Sequence, residues 1–203
     1  MLARQLVAQH EMSGDAFDKD EILQVLRSMD IEAVTSRPNV AHCHGQQVES
    51  ACIGLSARHG QLTFMTMQAA NVFSLPTMWL RSQSRWREFD FTSVTINRNH
   101  AAALHRDSGN LGPSVIVTLG EYSGGELRTF PGDDGFANPA SFAWDDGLVV
   151  QTNDFEVFDG NVLHGNSPFL GERMSVIYFM SSQVDHADDD AISWLRSRGA
   201  FLS

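Results

Sequence analysis

The chain has 203 residues, 42% of them hydrophobic and 19% charged, which is enough apolar material for a buried core and too regular a balance for a disordered polymer. Fourteen basic against 25 acidic residues give a formal net charge of -11, and this excludes indiscriminate binding to nucleic acid, where phosphate contacts need clustered cations. No apolar run approaches the ~20 residues of a membrane helix, MLARQLVAQHEM lacks the apolar stretch of a secretory signal, and Cys43 and Cys52 make no disulfide framework. A soluble intracellular protein, cytoplasmic or nuclear, with no membrane contact and no obligate protein partner, is the expectation.

In chain order, the first periodic segment is Asp20 to Asp30, where Ile22, Leu23, Val25, Leu26 and Met29 share a helical face and Asp20 is placed to cap. His42-Cys43-His44 with Cys52 contains zinc-competent side chains at a spacing that fits no established zinc pattern. Ala51 to Ala57 and Leu62 to Met67 read as strands. A helix is predicted from Pro76 to about Arg87, with Ser74 as cap and Pro76 in the first turn, where a missing N–H costs nothing. Trp79 and Trp86, seven apart on that helix, are core anchors or, less simply, a base-stacking platform. Five arginines lie between Arg81 and Arg106 (81, 85, 87, 98 and 106), the one concentration of positive charge.

From there short runs rich in β-branched and aromatic residues follow one another: Phe91 to Asn97, Ser114 to Leu119, Glu126 to Phe130, Leu148 to Thr152, Phe155 to Phe158 and Met174 to Met180. Most are separated by turn chemistry such as Gly124-Gly125, Asn153-Asp154 and Asp159-Gly160. A last helix, Asp189 to Arg198, ends at Gly199. Eight strands with helices mainly at the start predict an α+β fold, a double-sheet jelly-roll core flanked by helices. The expected layout is one domain over 1–203: a helical part to about 50, a β core over about 51–180 and a C-terminal helix at about 188–199.

Chemistry concentrates in three places. His105-Arg106-Asp107 puts an imidazole and a carboxylate on one side of an extended segment, because alternate residues of a strand face the same way. Such a pair is weak alone, and His186-Ala187-Asp188 repeats it in an acidic tail. The first pair, however, lies between two predicted strands and is followed by His164, just past a strand and a turn. Two histidines and one carboxylate on one face of an octahedral metal point to non-haem Fe(II). Nine residues after His164, Arg173 and Ser175 share a face at the start of the last strand, and a guanidinium matches a carboxylate bidentately.

His-x-Asp, a distal His and Arg-x-Ser in this order resemble the 2-oxoglutarate/Fe(II) dioxygenase superfamily over roughly Phe91 to Met180. The resemblance implies a double-stranded β-helix with Fe(II) on His105, Asp107 and His164. It also implies 2-oxoglutarate chelated to the iron with its distal carboxylate on Arg173 and Ser175, and O2 as oxidant. Hydroxylation of a substrate C–H bond, with release of succinate and CO2, would follow.

The run His105-Arg-Asp-Ser-Gly-Asn110, followed by Gly124-Gly125-Glu126-Leu127, is similar to the TET/JBP branch. That likeness implies a nucleic-acid substrate carrying a 5-methylpyrimidine and a base contact from Asn110. Asn97 and Asn99 are placed either to bond the co-substrate or to form a strand-end turn. Arg106 either forms a salt bridge or reaches an anionic substrate, and Tyr122 is expected at the mouth. Acidic charge and compact size favour instead a small molecule or a protein side chain as substrate. A non-catalytic cupin-like binding module is the reading from another class.

Overall fold

The computed structural model describes residues 2–14, 16–34, 40–41, 47–56, 59–68 and 70–201. His42, Cys43 and His44, and with them the zinc-competent cluster, lie outside the described residues. The elements are helices α1 (Leu2–Ser13), α2 (Lys19–Arg27), α3 (Phe64–Gln68), α4 (Ala70–Ser82) and α5 (Asp189–Ser197). The strands are β1 (Val40–Ala41), β2 (Glu49–Gly54), β3 (Ser93–Arg98), β4 (Ala101–Ala102), β5 (Ser114–Leu119), β6 (Tyr122–Gly124), β7 (Leu127–Thr129), β8 (Leu148–Val150), β9 (Glu156–Phe158), β10 (His164–Asn166), β11 (Phe169–Gly171) and β12 (Met174–Phe179). Helices and antiparallel sheets together make an α+β fold, as the sequence predicts. Among the described residues no helix is long and apolar enough to cross a membrane. The chain forms two compact units, Met1–Asp30 with Cys52–Val94 and Met180–Ser203, and Ile31–Ala51 with Thr95–Phe179.

The first unit is mainly helical. In α2 the predicted apolar face is buried through Ile22, Leu23, Val25 and Leu26, but the cap is Asp18, not Asp20. The Asp18 carboxylate accepts from the Asp20 amide at 2.7 Å, which leaves Asp20 and Glu21 in the first turn, where the helix dipole favours acids. The predicted strand at Leu62 to Met67 is corrected. Only Leu62 pairs, in a single bridge to Leu55, and the chain then coils into α3. That turn lets the Thr66 hydroxyl accept from the Gly54 amide at 2.6 Å. Gly54 itself has φ +94, and a Cβ there would strike the Thr92 carbonyl, so only glycine fits.

Helix α4 begins at Ala70, not Pro76, so the proline is interior. Proline removes a donor within a helix. The Thr77 hydroxyl donates to the Phe73 carbonyl at 2.8 Å and that of Ser74 to the Ala70 carbonyl at 3.3 Å, each bonding back one turn on either side of the proline. Trp79 is buried in α4, while Trp86 lies in a separate 3-10 turn, edge-on to Phe89 and under Arg85. Both are core anchors, and they do not share a helix. Arg81 donates to the carbonyls of Trp86, Arg87, Phe89, Gly199 and Ala200, tying α4 to the residues after α5. Helix α5 is capped by Asp188, whose carboxylate accepts from the Ala191 amide at 2.7 Å.

The second unit is mainly β. A five-stranded sheet runs in the order β2-β3-β12-β5-β9, and a three-stranded one in the order β10-β7-β8. Strand β5 is buried at all six positions, as a strand paired on both edges and covered on both faces should be. Ile116 and Phe158 from the larger sheet pack with Leu127 from the smaller, and Val150 and Ile177 close around them. Two short ladders, β1 with β4 and β6 with β11, complete the pairing. Strands β6, β10 and β11 were not foreseen, because each is only three residues long and contains a glycine, Gly124, Gly165 or Gly171, that reads as turn chemistry.

Candidate metal centre

His105 and His164 face each other across an antiparallel bridge. Each backbone amide donates to the other residue's carbonyl at 2.9 Å, so the two side chains project on the same side, with ring centroids 4.3 Å apart. Asp107 follows by alternation, and its amide is fixed to the Gly160 carbonyl at 2.8 Å. His105 Nε2 lies 3.5 Å from one Asp107 oxygen, and His164 Nε2 lies 3.9 Å from the other. The three ligand atoms all fall within 4.8 Å of one another, and among the described residues no other His, Cys, Asp or Glu group is so arranged. His186 belongs to a 3-10 turn, and Asp188 of that second pair is a helix cap.

The donor set suits a divalent metal for a reason visible in its hydrogen bonds. His105 Nδ1 meets the Ala103 carbonyl at 2.8 Å, and His164 Nδ1 meets the Val162 carbonyl at 2.9 Å. A carbonyl only accepts, so Nδ1 carries the hydrogen in both rings. Each neutral imidazole then presents its Nε2 lone pair to the other two ligands. Burial acts most strongly on all three groups. It lowers the pKa of His164, helped by the neighbouring His105. At His105 the hydrogen bond and charge of Asp107, together with the Ala103 carbonyl, outweigh burial and raise the pKa. At Asp107 burial alone would raise the pKa, but the two imidazoles and Asn110 turn the net shift downward, keeping the carboxylate ionised.

A cavity of about 170 Å³ opens from the three ligands and is lined further by Arg173, Ser175, Asn97 and Asn110. Arg173 is 2% exposed; its guanidinium carbon lies 5.6 Å from the Tyr122 ring centre and 6.0 Å from that of Phe169. Asn97 donates to the Ser175 hydroxyl at 3.3 Å and accepts from Ser50 at 2.7 Å, so it orients the serine from behind.

Several predicted site residues serve other ends. Asn99 does not line the cavity. It adopts φ +53 and its side chain accepts from the Arg173 amide at 3.2 Å, the turn role of the two expected. Tyr122 does not line it either; its hydroxyl bonds Thr118 at 2.7 Å, and its ring covers Arg173. Arg106 points away from the cavity and forms a bidentate pair with Asp133. Asn110 lines the cavity, but its amide donates to Asp107 at 2.9 Å and to Ser114 at 3.3 Å. His100, Thr95 and Asn166 line the cavity and were missed, although alternation with Asn97 on β3 and with His164 on β10 was a signal for Thr95 and Asn166.

No family model matches the chain, and no curated protein is significantly similar to it. Among solved structures, an oxidoreductase of the 2OG-Fe(II) oxygenase family from Burkholderia pseudomallei aligns over 87% of this chain and 89% of its own, at 20% identity and a TM-score of 0.49. NgTET1 in complex with 5mC DNA aligns over 73% and 69%, at 12% identity and a TM-score of 0.48. OsALKBH1 aligns over 80% and 92%, at 12% identity and a TM-score of 0.43. Likenesses at TM-scores under 0.5 bear no functional weight, and what the site can do follows from its own atoms.

Proposed function

We propose that this chain is an Fe(II)- and 2-oxoglutarate-dependent dioxygenase of the superfamily it resembles. Its reaction would consume 2-oxoglutarate, O2 and a substrate C–H, and yield succinate, CO2 and the corresponding alcohol. The observation that carries the reading is the pair of imidazoles held as Nδ1–H tautomers, both Nε2 atoms facing one carboxylate, in the same cavity as a buried arginine. The double-stranded β-helix description, and its extension to one catalytic domain over 1–203, belong to the same proposal. A non-catalytic cupin-like module would have no need of that arginine.

Iron, when bound, supplies the redox chemistry that couples O2 reduction to decarboxylation and hydroxylation. His105, Asp107 and His164 bind it, and the Ala103 and Val162 carbonyls keep both rings turned toward it. Arg173 and Ser175 receive the distal carboxylate of 2-oxoglutarate, with Asn97 orienting the serine. Ile116, Leu127, Phe158, Ile177 and Phe179 line the cavity and keep water from the reacting centre. At about 170 Å³ the cavity is smaller than the ~300–1,000 Å³ of a drug-sized site, so it takes the small co-substrate and leaves the substrate at the mouth.

The nucleic-acid form of the proposal, hydroxylation of a 5-methylpyrimidine, rests on the sequence likeness around Asn110. Two observations favour a small molecule or a protein side chain. Asn110 spends its amide on Asp107 and Ser114. Arg81, Arg98 and Arg106, three of the five clustered arginines, are committed to backbone carbonyls, Glu49 and Asp133. The test is Fe(II)-dependent succinate release from 2-oxoglutarate, measured against methylated oligonucleotides and against metabolite and peptide panels. No succinate above background with any of them, even uncoupled, would contradict the proposal.

A further inference from the structure

The loop after β7 contributes a residue that neither the likeness nor the cavity singles out. Asp133 has a side chain with 0% exposure, although it is a carboxylate on a connecting segment. One of its oxygens accepts from Arg106 Nε at 2.6 Å and from the Leu163 amide at 2.7 Å. The other accepts from Arg106 Nη2 and from the Gly135 amide at 3.1 Å. Arg106 separates the ligands His105 and Asp107, and Leu163 immediately precedes the ligand His164. One carboxylate therefore holds the side chain of the residue between His105 and Asp107 and the backbone amide of the residue before His164.

We infer that Asp133 is a positioning residue of the metal centre, setting the relative placement of the two ligand segments through Arg106 and Leu163. The inference rests on the proposed metal site and goes beyond it. A surface ion pair held by one bond contributes little to order. Here the arginine fork is engaged twice, a fourth donor comes from Gly135, and the Arg106 guanidinium is also held by the Ala137 carbonyl at 2.9 Å. The reciprocal bonds between His105 and His164 fix those two residues face to face, while the ladder of β10 with β7 and the bond from the Asp107 amide to the Gly160 carbonyl hold each segment separately. Arg106 on one segment and the Leu163 amide on the other, pinned to one oxygen, add a direct tie between the two segments. Asp134 next door has a different task, accepting from the Phe136 and Ala137 amides within the loop without bonding Arg106 or Leu163 itself.

The test is anaerobic titration of the full chain with Co(II), followed by calorimetry and by the ligand-field absorption of the bound ion. Wild type is expected to bind one Co(II), lost in His105→Ala; a wild type that binds none would refute the proposed function itself. Given wild-type binding, Asp133→Asn should bind about 10- to 100-fold more weakly, with a changed Co(II) spectrum, the usual scale for losing an outer-shell partner. Asp134→Asn, which disturbs the same loop, should keep wild-type affinity and spectrum. If Asp133→Asn fails to fold, Arg106→Lys replaces it, since it keeps the charge and loses the fork. Wild-type affinity and spectrum in the folded variant would overturn the positioning role, and so would equal weakening in Asp134→Asn.

Discussion

Asp107 is shared by two imidazoles and one amide, and its three partners are fixed from different parts of the chain. His105 and His164 come with the bridge, and Asn110 comes from the turn that follows. At Gly160 a Cβ would lie 2.7 Å from the same carboxylate, so a side chain there would push the carboxylate from its place. Removing a ligand should empty the site without unfolding the chain. His105→Ala and Asp107→Ala should abolish metal-dependent turnover with an unchanged circular dichroism spectrum, while His186→Ala, in its 3-10 turn, should leave turnover near wild type. Equal loss in all three would count against the assignment.

Arg173→Ala should raise the 2-oxoglutarate requirement at least ~10-fold with metal binding retained, because a secluded charge-assisted pair is worth about 2–5 kcal/mol. Succinate kinetics at varied 2-oxoglutarate check this. The pairing of His105 with Asp107 was legible in the sequence because alternation along an extended segment needs no tertiary information, whereas His164 rested on its order along the chain and on the family resemblance. The bonds of Asn110 were not legible, and although a salt bridge was one of the two roles expected of Arg106, its partner was not, since it lies 27 residues downstream, on a loop. Asp133 itself was visible only as half of an acidic dipeptide.

At Asp133 the pH dependence has a definite sign. Arg106, bonded to it in a fork, is the main cause of a pKa held far below the ordinary carboxylate range, with the Leu163 and Gly135 amides adding to the shift. A depressed carboxylate contributes stability above its unfolded pKa, near 3.8, and loses it as pH falls toward the folded value. Asp133→Asn should therefore be less stable than wild type at neutral pH, with the gap in urea midpoint narrowing as pH falls below about 4. A gap that stays constant on acidification would show the ion pair to be energetically silent.

Elements were legible where side chains repeat over several turns or along a full strand. The buried face of α2 and the bounds of β5 follow directly from such patterns. Where local chemistry competes with pattern, it decided otherwise. Pro76 looks like a helix start, yet α4 begins at Ala70 and runs through it, with Phe73, Leu75, Pro76, Thr77, Trp79 and Leu80 buried on both sides of the proline. The alternating run at Leu62 looks like a strand, yet the Thr66 hydroxyl is taken by the Gly54 amide and the chain coils. Strand β5 carries Ile116 into the cluster that joins the two sheets of its unit. Ile116→Ala should cost about 2 kcal/mol, the low end for such a truncation, read from urea denaturation, since the space it vacates joins the cavity that Ile116 lines. A loss under ~1 kcal/mol would mean that the sheets meet more loosely than their packing indicates.

For the molecule as a whole, the net charge of -11 and the internal use of Arg81, Arg98 and Arg106 bear on the substrate. Phosphate-dependent binding weakens steeply with salt. Turnover of the preferred substrate should accordingly change less than about twofold between roughly 50 and 200 mM salt, where several phosphate contacts would cost orders of magnitude. Helices preceding a β-rich part could be expected from composition and order alone, whereas the pairing of strands distant in sequence could not. The most direct measurement of the central claim is the metal stoichiometry of the chain, by anaerobic calorimetry with Mn(II). Wild type should bind one equivalent, with affinity increased by 2-oxoglutarate, and Asp107→Ala should bind none. A wild type that takes up no metal, or an Asp107→Ala variant that binds it as tightly, would contradict the account.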